Sequence, residues 1–413
     1  MLWRLAISSL WRRRSSALLT MLAVTVSIFV LLGVEQIRQQ AKDSFGNTVS
    51  GIDLIVGART GDINLLLYSV FRLGNATNNI SWQSYQAIAS NPSVEWTIPI
   101  SLGDSHKGYR VMGTTGDYFT HFRYGQNRPL VLAEGAPFSD LYDVVLGSEV
   151  ARTLEYKIGD KLVLAHGLGK TSFSQHDDKP FRVAGIFKPT GTPVDQTLHI
   201  SLQGIEAIHV GWQNGTRLQS SKEVTQQDLT PKSITAFMVG LKSKLAIFTL
   251  QRQINTYRGE PLLAILPGVT LTQLWQVLSA MENTLQLISI LVFLASLLGL
   301  AAMLLASLRE RQREFAIMRA VGASPWFILI LVEIEALAIV LTGVLTALVL
   351  LLLCTHFAGY LLMEQFSVMI EVTSVLGVAM TYLPIVLLCA VIIALIPAIS
   401  AYRFALHQQL SSG

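Results

Sequence analysis

Gly169-Lys170-Thr171 is a run that could do chemistry, since a lysine after glycine in a phosphate loop reaches nucleotide phosphates. Such a loop needs another glycine five residues earlier so that its amides can wrap the phosphates, and position 164 is Leu. The segment follows a strand with no helix behind it. It reads as a hairpin loop, so the chain is expected to bind no ATP, Mg²⁺ or other cofactor itself. His166, His176, Asp177 and Asp178 could ligate a metal, as could His199 with His209. None of the histidines has the i, i+4 or His-x-His spacing that turns two ring nitrogens toward one ion, so a solvated loop is the better reading and no metal site is predicted. No Gly-x-Ser-x-Gly or His-Glu-x-x-His run is present, and no catalytic residues are expected.

Two carboxylates stand out for their surroundings. Glu333 and Glu335 lie within an apolar run, where an exposed charge costs a few kcal/mol. Two residues apart on a helix, they point to different sides. The nearest basic candidates for Glu335 are Arg313 and Arg319. Those arginines belong to a short charged segment, 309–324, in which Phe315, Met318 and Val321, with Ile317, make an apolar stripe. Gly322 and then Ser324-Pro325 should end this helix and start the next. Such a helix can rest on lipid headgroups or dock in a groove on a partner, and composition does not choose between them.

The elements that hold these residues follow from composition. Of the 413 residues, 51% are hydrophobic and only 14% charged, too apolar to cover a soluble surface. The net charge of +4 comes without a basic cluster on a folded surface, so no nucleic-acid partner is expected. Cys354 and Cys389 both lie in apolar runs, which excludes a disulfide scaffold and a zinc finger. A hydrocarbon core of about 30 Å takes about 20 apolar residues in a helix. Four stretches qualify: 17–34, ended by Glu35, then 284–308, 326–357 and 372–398. Residues 36–282 have ordinary soluble composition. The chain thus reads as a four-span membrane protein with one large α+β domain between its first and second spans.

Arg4, Arg12, Arg13 and Arg14 in segment 1–16, the four arginines of 309–324 and Arg403 in the tail 399–413 mark one side of the membrane as cytoplasmic. The turn 358–371 carries Glu364 and Glu371 and no Lys or Arg, which places it outside with the large domain. Both termini are therefore expected in the cytoplasm. The first span has no small-x-small cleavage site before Glu35 and reads as an uncleaved anchor. Trp3, Trp11, Trp275 and Trp326 fall near span boundaries, where amphipathic rings settle. Within the domain, strands are predicted at 52–56, 144–146, 161–164, 181–187 and 234–241, with helices at 82–89 and 148–154. Pro189, Gly191 and Pro193 break the pattern, and the region near 190–230 reads as a subdomain or insertion.

Residues 311–324, RQREFAIMRAVGAS, resemble the signature that follows the second span in permeases of the MacB/FtsX/LolC–LolE superfamily of ABC transporters. Glu335 falls where that family has a glutamate in its third span, and Ile396-Pro397-Ala398 with Arg403 matches the start of its C-terminal motif. The family's Asp-Pro and final Leu-Arg are replaced here by Ala405-Leu406 and Leu410-Ser411. The stretches 113–119, 143–151, 158–160 and 181–187 are similar to the MacB-type periplasmic core domain. The resemblance implies a type VII, mechanotransmission permease of the bacterial inner membrane. It implies a second permease copy, most simply in a homodimer, and two copies of a separate ATPase that binds ATP and Mg²⁺, since only 16 residues precede the first span. Arg311, Glu314, Phe315, Met318, Arg319 and Gly322 would form the ATPase dock, and Glu335 would serve conformational coupling. Substrate would be handled outside the membrane, by efflux or by lipoprotein or peptide handling. A periplasmic adaptor and outer-membrane channel stay open, as do an FtsX-like regulator of an outside hydrolase and a membrane-bound sensor.

Overall fold

The computed structural model describes residues 2–48, 50–167, 179–210, 212–213, 216–217, 229–366 and 372–410. In chain order the helices are α1 (Leu2–Arg12), α2 (Arg14–Asn47), α3 (Asp62–Ser69), α4 (Trp82–Ala89), α5 (Asp117–His121), α6 (Ser148–Thr153), α7 (Leu202–His209), α8 (Ile247–Asn255), α9 (Pro267–Glu310), α10 (Gln312–Ala320), α11 (Pro325–Phe366) and α12 (Val372–Leu410). They divide between a helical bundle and a large mixed domain.

In the bundle, α2, α9, α11 and α12 each contain a stretch long and apolar enough to cross a membrane, as the sequence predicted. Their ends differ from the expectation. Glu35 does not stop α2, because Arg38 one turn on donates to it from Nε at 2.9 Å and Gln39 donates at 3.0 Å, so the charge is compensated within the helix. The helix runs on to Asn47, and α9 starts at Pro267, well before the apolar run begins at Thr284. Val24, Ile28 and Leu32 of α2 pack with Leu297 and Leu300 of α9 and with Val340 and Val344 of α11. Lipid removes the hydrophobic drive for such packing, so close fit and polar contacts must hold the helices together. Gly343 supplies the first, since a Cβ there would lie 2.9 Å from Val24 Cγ1. Ser27 and Ser296 supply the second, their hydroxyls 2.8 Å apart between α2 and α9.

The large domain is built on one mixed sheet with strands β1 (Leu54–Ala58), β2 (Val94–His106), β3 (Tyr109–Thr114), β4 (Leu132–Gly135), β5 (Asp143–Leu146), β6 (Lys161–Leu162), β7 (Ala165–His166), β8 (Phe181–Phe187), β9 (Thr197–Ser201), β10 (Ala236–Leu241) and β11 (Leu262–Ile265). The order is β11-β1-β10-β2-β3-β9-β5-β8-β4, with β7 added to β2 and β6 to β8. β9 runs parallel to β3 and β8 parallel to β5, and the other pairs are antiparallel. Every residue of β10 is buried. Ala236 and Met238 face a cluster with Ile98, Ile100 and Tyr118, while Phe237 and Val239 face Leu54, Tyr85 and Leu250. Burial on both faces is why this strand reads as an unbroken apolar run rather than an alternating one.

The predicted strands and helices of the domain are present, most of them shortened or shifted by a residue or two. One reading is corrected. Residues 197–209 are no insertion: β9 sits in the middle of the sheet between β3 and β5, and α7 follows it directly. The Pro189–Pro193 break is only a turn, closed by the buried Asp195, whose carboxylate accepts the amides of Thr190 and Gly191 at 2.9 and 2.7 Å. Most of 211–228, the rest of that predicted subdomain, lies outside the described residues, as do the Gly169-Lys170-Thr171 loop, His176, Asp177 and Asp178.

Candidate functional site

α9 ends at Glu310, the chain turns at Arg311, and α10 begins. That turn carries the arginine inward. Arg311 is buried, and its Nη1 donates to both oxygens of Glu335 on α11, at 2.8 and 3.1 Å. Its Nε donates to Glu314 at 2.9 Å, and its guanidinium lies 4.9 Å from the centre of the Phe315 ring. The Arg311 hydrogen bond holds the Glu314 carboxyl below its ordinary range, with burial opposing. Glu335 therefore has the basic partner that its depth demands, but the partner is Arg311 rather than Arg313 or Arg319.

The apolar stripe expected along this helix divides into a buried and an exposed part. Phe315 is only 2% exposed and packs on Ile328 and Val332 of α11 and on Ala398 and Ala401 of α12, with Met318 against the same cluster. Ile317 and Val321 are the exposed apolar side chains, at 65% and 84%. Four residues apart, they present an outward pair beside Arg313 and Ala320, both also exposed. The stripe read from the sequence fails at Val321 because the helix has ended there. Val321 is its C-cap, and Gly322 follows at φ +100°, where only glycine sits without strain. The amides of Gly322 and Ala323 bond back to the carbonyls of Arg319 and Met318 at 3.0 and 2.9 Å, and Arg319 Nη1 donates to the Ala323 carbonyl at 2.6 Å. Arg319 and Gly322 thus shape the turn into α11. Ser324 caps α11, accepting from the Phe327 amide at 3.2 Å.

Helix α1 was not anticipated. Its only signal was Trp3, Ile7 and Trp11 at intervals of four, and these side chains are exposed along one side. Arg12 pairs with Glu314 at 3.2 Å on an exposed surface, and Arg13 donates to the Ser307 carbonyl at 3.3 Å. Between α1 and α10 lies a cleft of about 240 Å³ lined by Ser9, Arg12, Arg13, Arg311, Glu314 and Met318. Among the described residues this end of the bundle offers tethering and surface, and no nucleophile paired with a base. Glu333, as expected, faces elsewhere, its oxygens buried without a hydrogen-bond partner among the described residues.

Of the histidines, His199 does not meet His209. It lies fully buried on β9, stacked at 5.2 Å on Tyr118 and edge-on to Phe187 at 5.1 Å. His166 and His209 instead come together beside Asp104. Burial and the nearby Arg72 hold the His199 imidazole down, from 6.5 to about 3. Unfolded, it takes a proton near 6.5, so the unfolded chain binds more protons between that value and about 3. Stability contributed by this site is therefore complete above about pH 6.5 and falls on acidification through that window, by at most about 1.4 kcal/mol per pH unit. His199→Phe keeps the aromatic packing without the charge. It should flatten the loss of denaturant midpoint between pH 7 and pH 5, and an unchanged slope would remove His199 as its source.

A family model described as the MacB-like periplasmic core domain matches residues 17–257, and one described as the FtsX-like permease C-terminal matches residues 286–407. Among solved structures, the periplasmic region of MacB from Actinobacillus actinomycetemcomitans is 12% identical, with a TM-score of 0.34, covering 54% of this chain and 94% of its own. The extracellular domain of the noncanonic ABC-type transporter YknZ from Gram-positive bacteria is 11% identical, with a TM-score of 0.31, covering 52% of this chain and 98% of its own. Among curated proteins there is no match.

Proposed function

The chain belongs to the family of ABC transporter permeases that join a MacB-like periplasmic core domain to an FtsX-like C-terminal part, and from that membership we propose that it couples ATP hydrolysis on a separate ATPase chain to movement of its large domain. The observation that carries this reading is the construction of α10. One face is locked into the bundle by Phe315 and by the buried Arg311–Glu335 pair, while Ile317, at the edge of the cleft against α1, and Val321 stand largely outward. A displacement imposed on the outer face must then move the helices that hold the inner one. α9 continues from this end without a break to Pro267, a rod of roughly 66 Å at 1.5 Å per residue, suited to carrying such a displacement.

In this reading two ATPase subunits dock beneath a pair of permeases, ATP closure draws the two α10 helices together, and substrate is handled on the outer side. The chain supplies surface and leverage and no catalytic group. Both termini and α10 face the cytoplasm, and the large domain faces the periplasm, in accord with the arginines at one end of the spans.

Topology is the first requirement, and cysteine labelling tests it. In a background with Cys354 and Cys389 replaced by alanine, Leu245→Cys should react with an impermeant maleimide in outer-membrane-permeabilised cells, since that position is 93% exposed on the large domain. Val321→Cys should react only after the inner membrane is opened. The reverse pattern would overturn the orientation and the mechanism with it.

A further inference from the structure

In the large domain, we propose that Asp104, His166 and His209 form a binding site for a divalent transition-metal ion of the Zn²⁺ type. The three come from separate elements. His166 lies on β7 directly opposite Asp104 on β2, and His209 is the last residue of α7. β2 shifts register between Leu102 and Ser105, and this bulge places the Asp104 carboxylate, almost wholly buried, beneath the two rings. His166 Nδ1 stands 2.9 Å from Asp104 Oδ1 and 3.4 Å from His209 Nε2, and His209 Nε2 stands 3.8 Å from Asp104 Oδ2.

These separations suit one ion. A tetrahedral centre with bonds of about 2.1 Å to nitrogen and oxygen has ligand–ligand edges of about 3.4 Å. The two rings sit nearest different oxygens of Asp104, and since one ligand atom from each residue already lies within 4.8 Å of the others, a turn of the carboxylate brings all three donors onto one ion. The tautomer is set for the same purpose. His209 Nδ1 lies 2.7 Å from the Ile205 carbonyl, which can only accept, so Nδ1 carries the hydrogen and the Nε2 lone pair faces the cluster. That is the outer hydrogen bond which orients a ligating imidazole. Without an ion, the hydrogen on His166 Nδ1 faces both the Asp104 carboxylate and the His209 lone pair, which lie too far apart for one straight bond to each. A divalent cation bonds to all three once His166 takes its other neutral tautomer, with the hydrogen on Nε2 and the Nδ1 lone pair toward the ion.

The donor set names the class of ion. Two imidazoles and one carboxylate suit Zn²⁺ and its first-row neighbours, whereas Ca²⁺ and Mg²⁺ require oxygen ligands. Both imidazoles are part-exposed, which leaves a route in and a fourth position for water or another donor. Bound there, the ion would fasten the end of α7 to the bulge of β2. This inference does not depend on the transport reading.

The test uses the full-length protein in detergent, purified without a polyhistidine tag and stripped with a chelator. Zn²⁺ is titrated in competition with a chromogenic chelator, and Co²⁺ is followed by visible absorption. One Zn²⁺ per chain and the intense absorption of four-coordinate Co²⁺ are expected. Asp104→Asn and His209→Gln should each weaken binding by roughly tenfold or more, while His121→Gln, away from the cluster, should leave it unchanged. Absence of stoichiometric uptake by the wild type, a weak six-coordinate Co²⁺ spectrum, or equal uptake by the Asp104→Asn/His166→Gln/His209→Gln variant would reduce the three residues to a hydrogen-bonded cluster. The wild-type spectrum decides the matter even if a variant folds poorly.

Discussion

Arg311→Met will destabilise the full-length protein in detergent by about 3 kcal/mol, because it removes the hydrogen-bonded counter-charge of the buried Glu335 carboxylate and leaves only the more distant charge of Arg13. Glu335→Leu should cost less, since Arg311 keeps a second carboxylate, Glu314, at 2.9 Å. The asymmetry follows from the geometry: among the described residues Arg311 hydrogen-bonds two carboxylates, whereas Glu335 hydrogen-bonds one cation. Replacing both residues, Arg311→Met with Glu335→Leu, should recover most of the loss. Swapping a buried ion pair for apolar groups of similar volume is often close to neutral. Glu333→Gln is the control, since no hydrogen bond within the described chain is lost with its charge. Denaturant midpoints for the wild type, the two single variants and the double variant form a double-mutant cycle with an expected coupling of about 3 kcal/mol. Additive losses would mean that the pair contributes nothing as a pair, and that α10 is held by its other contacts, chiefly the packing of Phe315 and Met318.

The four spans were legible in the sequence because lipid leaves backbone groups no partner except their own helix, which forces long apolar runs. Their ends were not legible. Glu35 looked like a stop, and only the pairing with Arg38 and Gln39 shows how the helix passes through it. Strands buried on both faces, such as Ala236–Leu241, were also plain. The 13-residue Val94–His106 was hidden by Pro99, Gly103 and its own bulge, which interrupt the apolar pattern. β9 and α7 were misread as an insertion because a turn rich in Pro and Gly precedes them, and their place in the sheet depends on pairing with β3 and β5.

At the functional end, the charged segment announced itself, but its inward face did not. Phe315 and Met318 were set apart from Ile317 only by what α11 and α12 place beneath them. Arg311 was passed over as the partner of Glu335 because it sits at a turn, where helical spacing says nothing about direction. The same limit applies to Asp104, His166 and His209. Strand pairing and a helix end bring them together across dozens of residues, and no spacing rule reports that.

The two faces of α10 give the second large effect. Phe315→Asp buries a carboxylate among Ile328, Val332, Ala398 and Ala401, at a cost of several kcal/mol, and should lose the folded permease together with its partner. Ile317→Asp with Val321→Asp changes only exposed positions, so the permease should insert and melt normally. The ATPase proposed to dock there should nonetheless fail to co-purify, with recovery down by about tenfold or more if the pair sits at the centre of the dock. The most direct measurement is photo-crosslinking in membranes from a benzophenone side chain placed at position 317 or 321. A covalent adduct with an ABC ATPase chain, identified by mass spectrometry, is the expected result. Adducts with lipid alone at both positions would contradict the coupling role and leave α10 as a helix that lies on the headgroups.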